Sequence, residues 1–284
     1  MKGTLAFITT WLMLVFPALA QDRNPQNGAQ VMNTDEGPTA PTEAQLAKEL
    51  QNPFAELIEV PIVHNFAFGA AAGNGFQYTL TLQPLIPMKL SRCWDLITRP
   101  IFTVVDSPES SIGMGRTVGS GDLITRFYFS PSKATSFIWG FGPVLGMPTA
   151  SDALLGTGKW TLGPGLAVVK QTENWSIAVV VNHVWSFAGD TSRSKVSMTA
   201  IEPSVSYTWG HGWTVGLDDA STYDSDATSG SRWVQPVQLS IGKVTSFGSR
   251  PVSLGFGIIR YALAPSGSPS VGLSLTIDLL FPKE

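Results

Sequence analysis

The alternation of apolar and polar side chains, repeated from about Val60 to Phe281, most constrains how this chain folds. In the clearest segment, residues 76–83, aromatic and leucine side chains occupy the even positions and Gln or Thr the odd ones. Consecutive strand side chains point to opposite faces, so one face of this segment suits lipid and the other suits water. A soluble β-sandwich has the same alternation, so the period alone does not distinguish the two folds.

Twelve such segments follow one another, and the connections between them are alternately long and short. The short ones are tight turns such as residues 171–174 and 210–212, and the long polar ones are Gly69 to Gly75, Asp106 to Gly121, Thr149 to Gly158, Ala188 to Lys195, Ser225 to Arg232 and Pro265 to Ser270. This pattern is typical of bacterial outer-membrane barrels. We therefore predict an all-β fold, a transmembrane antiparallel up-and-down β-barrel of about 12 strands over residues 59–284, with a short N-terminal periplasmic helical segment.

The first 20 residues have the features of a secretory signal peptide. Lys2 precedes an apolar stretch, residues 5–19, and small residues permit cleavage near Ala20. A membrane-anchoring helix is the alternative, but the stretch is short and is interrupted by two threonines and a proline. We predict export to the bacterial outer membrane, with outer-membrane lipid and the barrel-assembly machinery as partners.

Residues 21–58 separate the signal peptide from the barrel. Up to Pro41 this segment is polar and lacks aromatic residues, which predicts a flexible periplasmic leader. Residues 42–51 predict a short helix that begins at a Thr42 N-cap and is stopped by Asn52 and Pro53. The sequence leaves open whether this helix lies at the barrel mouth or enters the lumen.

Composition excludes several classes of function. Beyond Ala20 no run of about eighteen apolar residues occurs, although only 14% of residues are charged. The single cysteine, Cys93, excludes an intrachain disulfide and a cysteine-based metal site. The formal charge of -3 offers no basic surface for nucleic acid. We predict no cofactor, no metal site and no nucleic-acid partner.

Tryptophan positions are a second indication of a membrane barrel. Trp94, Trp175 and Trp213 each begin a strand that leaves a short turn, while Trp209 ends a strand that enters one. These positions predict an aromatic girdle at one membrane interface. Tryptophans of a soluble core are expected near strand middles instead.

Charged residues within the predicted strands are few, and seven share the parity of the polar lumen face: Asp95, Arg99, Asp122, Arg126, Glu202, Asp218 and Asp278. Asp95 and Arg99 lie on one strand and Asp122 and Arg126 on the next, which predicts a compact lumenal charge cluster. The cluster is interpreted either as a constriction that selects solutes by charge and size, or as an internal salt-bridge network that fills the barrel.

Glycine and proline add two further patterns. Gly140 and Gly142 share lumen parity with Gly163 and Gly165 of the next strand, which predicts a bend or docking of the N-terminal helix, with a widened permeation path as the alternative. Six mid-strand prolines each remove a ladder donor and predict bulges or kinks: Pro84, Pro100, Pro143, Pro164, Pro203 and Pro236.

Enzyme chemistry has weak support. The three histidines, His64, His183 and His211, lie far apart and lack metal-ligand spacing. His183 beside Asn182, with a serine, is a remote alternative as a lipase-like barrel triad, but no nucleophile motif accompanies them. We predict no catalytic residues and no enzymatic activity.

Several motifs carry a family resemblance: AKELQNP, FYFSPSK, WGFGPVLGMPTASDALLGTGKWTLGPG, NHVWSFAGD and QPVQLSIGK followed by RPVSLGFG. Over roughly Ala44 to Phe281 the chain resembles the bacterial outer-membrane transporter family whose members are often mislabelled neuromedin U, and which is similar to barrels of aromatic-degradation clusters. The resemblance implies an outer-membrane channel or transporter. The resemblance identifies neither a substrate nor a functional residue.

Two functional hypotheses follow. The first is a channel or transporter that passes small, apolar or aromatic solutes through the lumen. The second is a closed barrel that has a structural or partner-binding role without transport. An open lumen path favours the first, and a lumen filled by side chains or by Thr42 to Glu59 favours the second.

Overall fold

The computed structural model describes residues 41–70, 75–108, 116–133, 137–248 and 250–282. The predicted signal peptide and the first half of the predicted leader lie outside these residues. The predicted short helix is present as α1, Glu43–Glu49. Its N-cap, Thr42, accepts a hydrogen bond from the backbone N–H of Gln45, whose side chain accepts one in return from the backbone of Thr42. This reciprocal capping box begins the helix where the sequence predicts it.

The rest of the described chain is almost entirely strand. The strands are β1 Ile58–Ala70, β2 Gly75–Leu82, β3 Ile86–Lys89, β4 Trp94–Ser107, β5 Thr117–Ser120, β6 Leu123–Pro131, β7 Phe137–Met147, β8 Lys159–Gln171, β9 Trp175–Gly189, β10 Ser197–Trp209, β11 Trp213–Asp219, β12 Ser221–Asp224, β13 Trp233–Phe247, β14 Arg250–Leu263 and β15 Val271–Phe281.

These segments form a closed antiparallel barrel of 12 strands, as predicted. Three barrel strands are each made of two consecutive segments, namely β2 with β3, β5 with β6, and β11 with β12. The last strand closes on the first, since β15 pairs with β1 from Ile58 opposite Phe281 to Phe68 opposite Val271. Closure leaves no exposed strand edge, which a lipid environment requires.

The two ends of the barrel differ. We call the end that carries the short connections, including residues 172–174 and 210–212, the turn end, and the opposite end the loop end. Both ends of the barrel chain, Ile58 and Phe281, lie at the turn end. The described connections at the loop end, such as residues 148–158 and 225–232, are longer than those at the turn end, as predicted. The predicted connection from Asp106 to Gly121 is shorter than expected, because β5 lies within it.

Burial follows the predicted alternation. In β15 the apolar side chains of Leu273, Leu275 and Ile277 are exposed on the outer face, whereas Ser274 and Asp278 are buried inside. In β2 the buried positions are polar, including Thr79 and Thr81. An apolar outside and a polar inside are the reverse of a soluble protein and match a barrel surrounded by lipid.

Aromatic girdles surround both ends. The four predicted tryptophans, Trp94, Trp175, Trp209 and Trp213, are exposed at the turn end. A second set occupies the loop end, where β8, β9 and β13 carry exposed Trp160, Trp185, Phe187 and Trp233. The sequence predicted only the first girdle. Two girdles bracket an apolar band, which is typical of a membrane-spanning barrel.

The prolines coincide with several irregularities of the ladder. Pro84 lies in the gap between β2 and β3, and the register of β13 with β14 shifts between Gln235 and Pro236. Pro203 of β10 faces the gap between β11 and β12, where pairing stops at Ser204 and resumes at Ile201. The ladder is thus irregular at these three prolines, whereas Pro100 pairs in register with Thr125, and Pro143 with Pro164. A proline has no N–H, so it interrupts the ladder where the partner strand is also broken.

Among the described residues, no helix is long and apolar enough to cross a membrane.

Candidate functional site in the barrel lumen

The chain before β1 closes the turn end of the barrel. Leu46 and Ala47 of the helix, with Leu50 at its C-cap, pack with Val244 and Leu280 of the wall. An ion pair of 3.6 Å between the Nζ of Lys243 and Glu43 ties the helix to β13. The helix therefore lies at the barrel mouth, with its apolar face buried against the wall. The sequence had left open whether the helix lies there or enters the lumen.

After the helix, residues 50–57 enter the lumen, and we call them the plug. The hydroxyl of Ser206 donates to the side-chain oxygen of Gln51 over 2.9 Å, and both groups are buried. Deeper inside, the ring of Phe54 meets Tyr128 edge-on, with centroids 6.2 Å apart. The plug thus reaches the centre of the barrel from the turn end.

A glycine in the wall makes room for the plug. A Cβ added at Gly140 would lie 2.4 Å from the ring of Phe54, closer than any real contact. Gly163 has a different reason, because a Cβ there would lie 1.8 Å from the carbonyl oxygen of His183 on the neighbouring strand. The docking interpretation therefore holds at Gly140, with a plug residue rather than the helix as the docked group.

Two buried ion pairs lie in the lumen beside the plug. Arg126 makes a bidentate contact with Glu202, with N···O distances of 2.9 and 2.5 Å. Arg99 lies 3.9 Å from Glu59. All four side chains are buried. A buried charge is strongly destabilising unless it is paired, so the two arginines can be buried in the lumen because each has a carboxylate partner.

The pairing follows from the register. Arg99 of β4 lies directly opposite Arg126 of β6. Two like charges in facing positions repel each other, and the repulsion is reduced only if each has a carboxylate of its own. Glu202, on the far side of the barrel, and Glu59, at the start of β1, supply those carboxylates.

The predicted cluster of four residues does not form. Arg99 and Arg126 are neighbours, but Asp95 lies near the turn end, opposite Ser130 and Lys89. Asp122 lies at the loop end, between β5 and β6, outside the central lumen. Parity along a strand fixes which face a residue occupies but not its height, and here the heights differ.

Asp122 instead organises a loop. Its carboxylate accepts hydrogen bonds from the backbone N–H groups of Ala150 and Thr157, at 3.1 and 2.7 Å, and from the Thr157 hydroxyl at 2.8 Å. Arg193 donates to carbonyl oxygens of the same loop, including that of Ala153 at 2.7 Å. These bonds hold residues 148–158 over the loop end.

Asp190 stabilises the neighbouring connection. Its carboxylate accepts hydrogen bonds from the hydroxyl and the backbone N–H of Ser192, which hold the pKa of this carboxyl below its ordinary value. Asp190 therefore stays ionised, and the backbone carbonyl of the same residue accepts a hydrogen bond of 2.5 Å from Lys159.

The remaining predicted carboxylates, Asp218 and Asp278, are buried in the lumen without an ion pair among the described residues. Asp278 lies opposite Ser253 of β14. Asp218 lies 3.4 Å from the hydroxyl of Ser240. The sequence predicted lumen parity for both residues and no individual role for either.

Two cavities flank the plug. The central cavity, of about 550 Å³ including its open mouths, lies among Pro53, Ile97, Tyr128, Val180 and Asp218. The second cavity, of about 510 Å³, lies between the helix and the wall, where Gly255, Thr276 and Asp278 face it. Ser240 lines the second cavity and contacts Asp218 of the first, so the two approach each other there.

The two predicted triad residues, Asn182 and His183, point to opposite sides of the barrel wall. Asn182 is buried in the lumen, whereas its neighbour His183 lies on the outer face and contacts the hydroxyl of Thr199 at 2.7 Å. Adjacent strand residues point to opposite faces, so this pair does not converge. No group of three metal-ligating side chains occurs in the part of the chain that the structure describes.

Glu59 and the plug contacts were not predicted from the sequence. Glu59 has the odd-numbered parity of the buried positions Val63 and Asn65, so extending the first strand by one residue would have included it. Phe54 had no such signal, because its partners lie far away in sequence.

The chain is similar in structure to solved outer-membrane barrels. One is the crystal structure of an outer membrane channel from Pseudomonas putida F1, with a TM-score of 0.59 and 17% identity over 79% of this chain and 95% of that chain. Another is the NanC porin, with a TM-score of 0.51 and 8% identity over 79% of this chain and 100% of that chain. Identities this low indicate a shared fold and nothing finer.

No protein-family model matches the sequence, and no curated protein matches it. The predicted resemblance is thus supported at the level of an outer-membrane barrel with the fold of a channel. The particular transporter family stays a prediction.

Proposed function

We propose that the protein is an outer-membrane channel that passes small, apolar or aromatic solutes through its lumen, and that the plug gates this path. The observation that carries the proposal is that cavities flank the plug inside a closed barrel. A barrel filled by its wall alone would leave no such space.

The walls of the central cavity support an apolar solute. Ile97, Val180 and Ala178 line it together with Tyr128. Ligand sites commonly combine such walls with a few placed polar groups. The turn end would face the periplasm and the loop end the cell exterior, in keeping with the placement of short and long connections in bacterial barrels.

A specific observation favours the second candidate, a closed barrel without transport. The plug packs against Tyr128 at the centre, and the Arg126–Glu202 pair crosses the lumen at the same level. If the plug never moves, these contacts block passage. The two candidates therefore differ in whether loosening the plug opens a conducting path.

Conductance of the mature protein in planar bilayers separates them. Phe54→Ala removes the ring that contacts Tyr128, so we expect more frequent or larger open-channel currents than in the wild type. Phe102→Ala removes the same ring from the lipid face of β4 and should leave the currents unchanged. Folded Phe54→Ala barrels that stay as silent as the wild type would favour the closed structural barrel.

A further inference from the structure

The central cavity contains one buried carboxylate oxygen that nothing in the described chain satisfies. Asp218 is 3% exposed and lines the cavity. One of its oxygens, Oδ2, lies 3.4 Å from the hydroxyl of Ser240, while the other, Oδ1, is buried without a hydrogen-bond partner. An unsatisfied buried polar atom is costly, so a native one calls for an explanation.

The neighbouring cations do not supply the missing partner. Arg126 is held by Glu202 and Arg99 by Glu59, and the unsatisfied Oδ1 of Asp218 accepts a hydrogen bond from neither. Beside the plug, two arginines therefore face four buried carboxylates: Glu59, Glu202, Asp218 and Asp278. A further buried cation, Lys159, lies at the loop end and donates to the carbonyl of Asp190. The excess of acidic groups favours a positively charged guest over a negatively charged one.

The shape of the site favours an organic cation over a metal ion. A hard metal ion needs several free oxygen ligands. Three carboxylates line the cavity, but Glu202 is held by Arg126, and Asp219 accepts hydrogen bonds from Ser221 and Gln235, which leaves Asp218 beside apolar side chains such as Ala220 and Ala178. An ammonium group needs fewer hydrogen-bond acceptors than a metal ion. Moving its alkyl chain from water to an apolar wall is favourable in free energy.

We propose that Asp218 and the central cavity form a binding site for small organic amines, with the ammonium group on Asp218 and the alkyl part against the apolar wall. This site refines the proposed function, on which it rests, by assigning a solute class to the path beside the plug. Asp218 is the group that touches the ligand, and Ser240 positions its carboxylate.

Calorimetric titration of the detergent-solubilised folded barrel tests the site with probes of equal size. Butylammonium should bind, whereas butyrate and 1-butanol should bind at least about tenfold more weakly, because a hydrogen bond to a charged group is roughly twice as strong as a neutral one. Asp218→Asn keeps the shape but removes the charge, and should weaken butylammonium at least about tenfold.

Asp95→Asn is the matched control, because it removes a lumen-parity carboxylate near the turn end, away from the cavity. It should leave binding unchanged. Ala220→Leu fills the cavity without changing its charge and should also abolish butylammonium binding. This variant tests the binding site even if Asp218→Asn does not fold. Equal binding of butyrate, or wild-type affinity in both cavity variants, would overturn the assignment. Binding needs no conduction, so a silent channel that binds butylammonium would contradict only the transport proposal.

Discussion

At the scale of single residues, the buried Arg126–Glu202 pair shows how this lumen accommodates charge. Each partner is buried, and the contact is bidentate. A buried pair adds little net stability over apolar side chains, but removal of one partner leaves the other uncompensated. The pair is therefore sensitive to single substitutions and tolerant of a matched double substitution.

We expect Arg126→Ala to lower the free energy of unfolding by about 3–5 kcal/mol, because Glu202 is left buried and unpaired. The double variant Arg126→Met with Glu202→Leu should recover most of the loss. Urea unfolding of the barrel in lipid vesicles, followed by tryptophan fluorescence, measures both effects.

The control for this prediction is Arg250→Ala, since Arg250 is exposed at the turn end. Its substitution should change the unfolding free energy by less than about 0.5 kcal/mol. A similar loss in the double variant and in Arg126→Ala would show that the ion pair itself, and not an orphaned charge, stabilises the barrel.

At the scale of elements, the helix and the plug act as one unit that closes the turn end. The helix contributes an apolar face, and the plug contributes Gln51 and Phe54. One polar group works against this docking. Burial raises the pKa of the Glu49 carboxyl, and Glu56 nearby raises it further.

This shift has a defined sign. A carboxyl whose pKa is higher in the docked state binds its proton more tightly there, so protonation favours docking. The favourable contribution is present below the ordinary pKa of a glutamate and is lost as the pH rises through the raised value. The plug should accordingly loosen with rising pH.

We expect Glu49→Gln to strengthen docking at high pH and to remove this part of the pH dependence. An Ala55→Cys thiol in a Cys93→Ser background reports docking, because Ala55 is buried in the plug. Maleimide labelling should be slower in the Glu49→Gln variant than in its parent, and the difference should shrink as the pH falls. Comparing the two at each pH cancels the reactivity of the thiol.

Glu173→Gln, in an exposed turn, serves as the control and should leave the labelling rate unchanged. A constant ratio between the Glu49→Gln variant and its parent across the pH range would argue against burial of this carboxyl in the docked state.

At the scale of the whole molecule, closure and the two girdles define how the barrel sits in a membrane. The exposed outer faces are apolar, and tryptophans are exposed at both ends. An arginine placed on this outer face at the middle of the membrane would destabilise the barrel by on the order of 2–4 kcal/mol. The orientation of the barrel remains a proposal and is open to direct test.

The orientation predicts which cysteines label on intact cells. In a Cys93→Ser background, Asp152→Cys at the loop end should react with an impermeant maleimide, whereas Glu173→Cys at the turn end should not. Both positions are exposed, so accessibility of the folded protein does not bias the comparison. Labelling of Glu173→Cys alone would invert the proposed orientation.

Sequence reasoning recovered most of the fold because a barrel strand carries its own face assignment. The alternation in Phe76 to Gln83 identifies lipid and lumen faces without knowledge of any partner. The faces of Arg99, Arg126, Glu202, Asp218 and Asp278 followed in the same way, and all five are buried inside. The Thr42 N-cap likewise predicted the start of α1, and the structure adds Gln45 as its capping-box partner.

The sequence by itself determined the strand period, the alternating connections and the inward face of each charge, because these depend on neighbours along the chain. Only the tertiary structure decided which charges meet, since Arg126 and Glu202 are 76 positions apart and touch only when the barrel closes. The same holds for Phe54 beside Gly140 and for the unsatisfied oxygen of Asp218. Height along the barrel and contacts across it arise from register and closure, which a two-residue period does not encode.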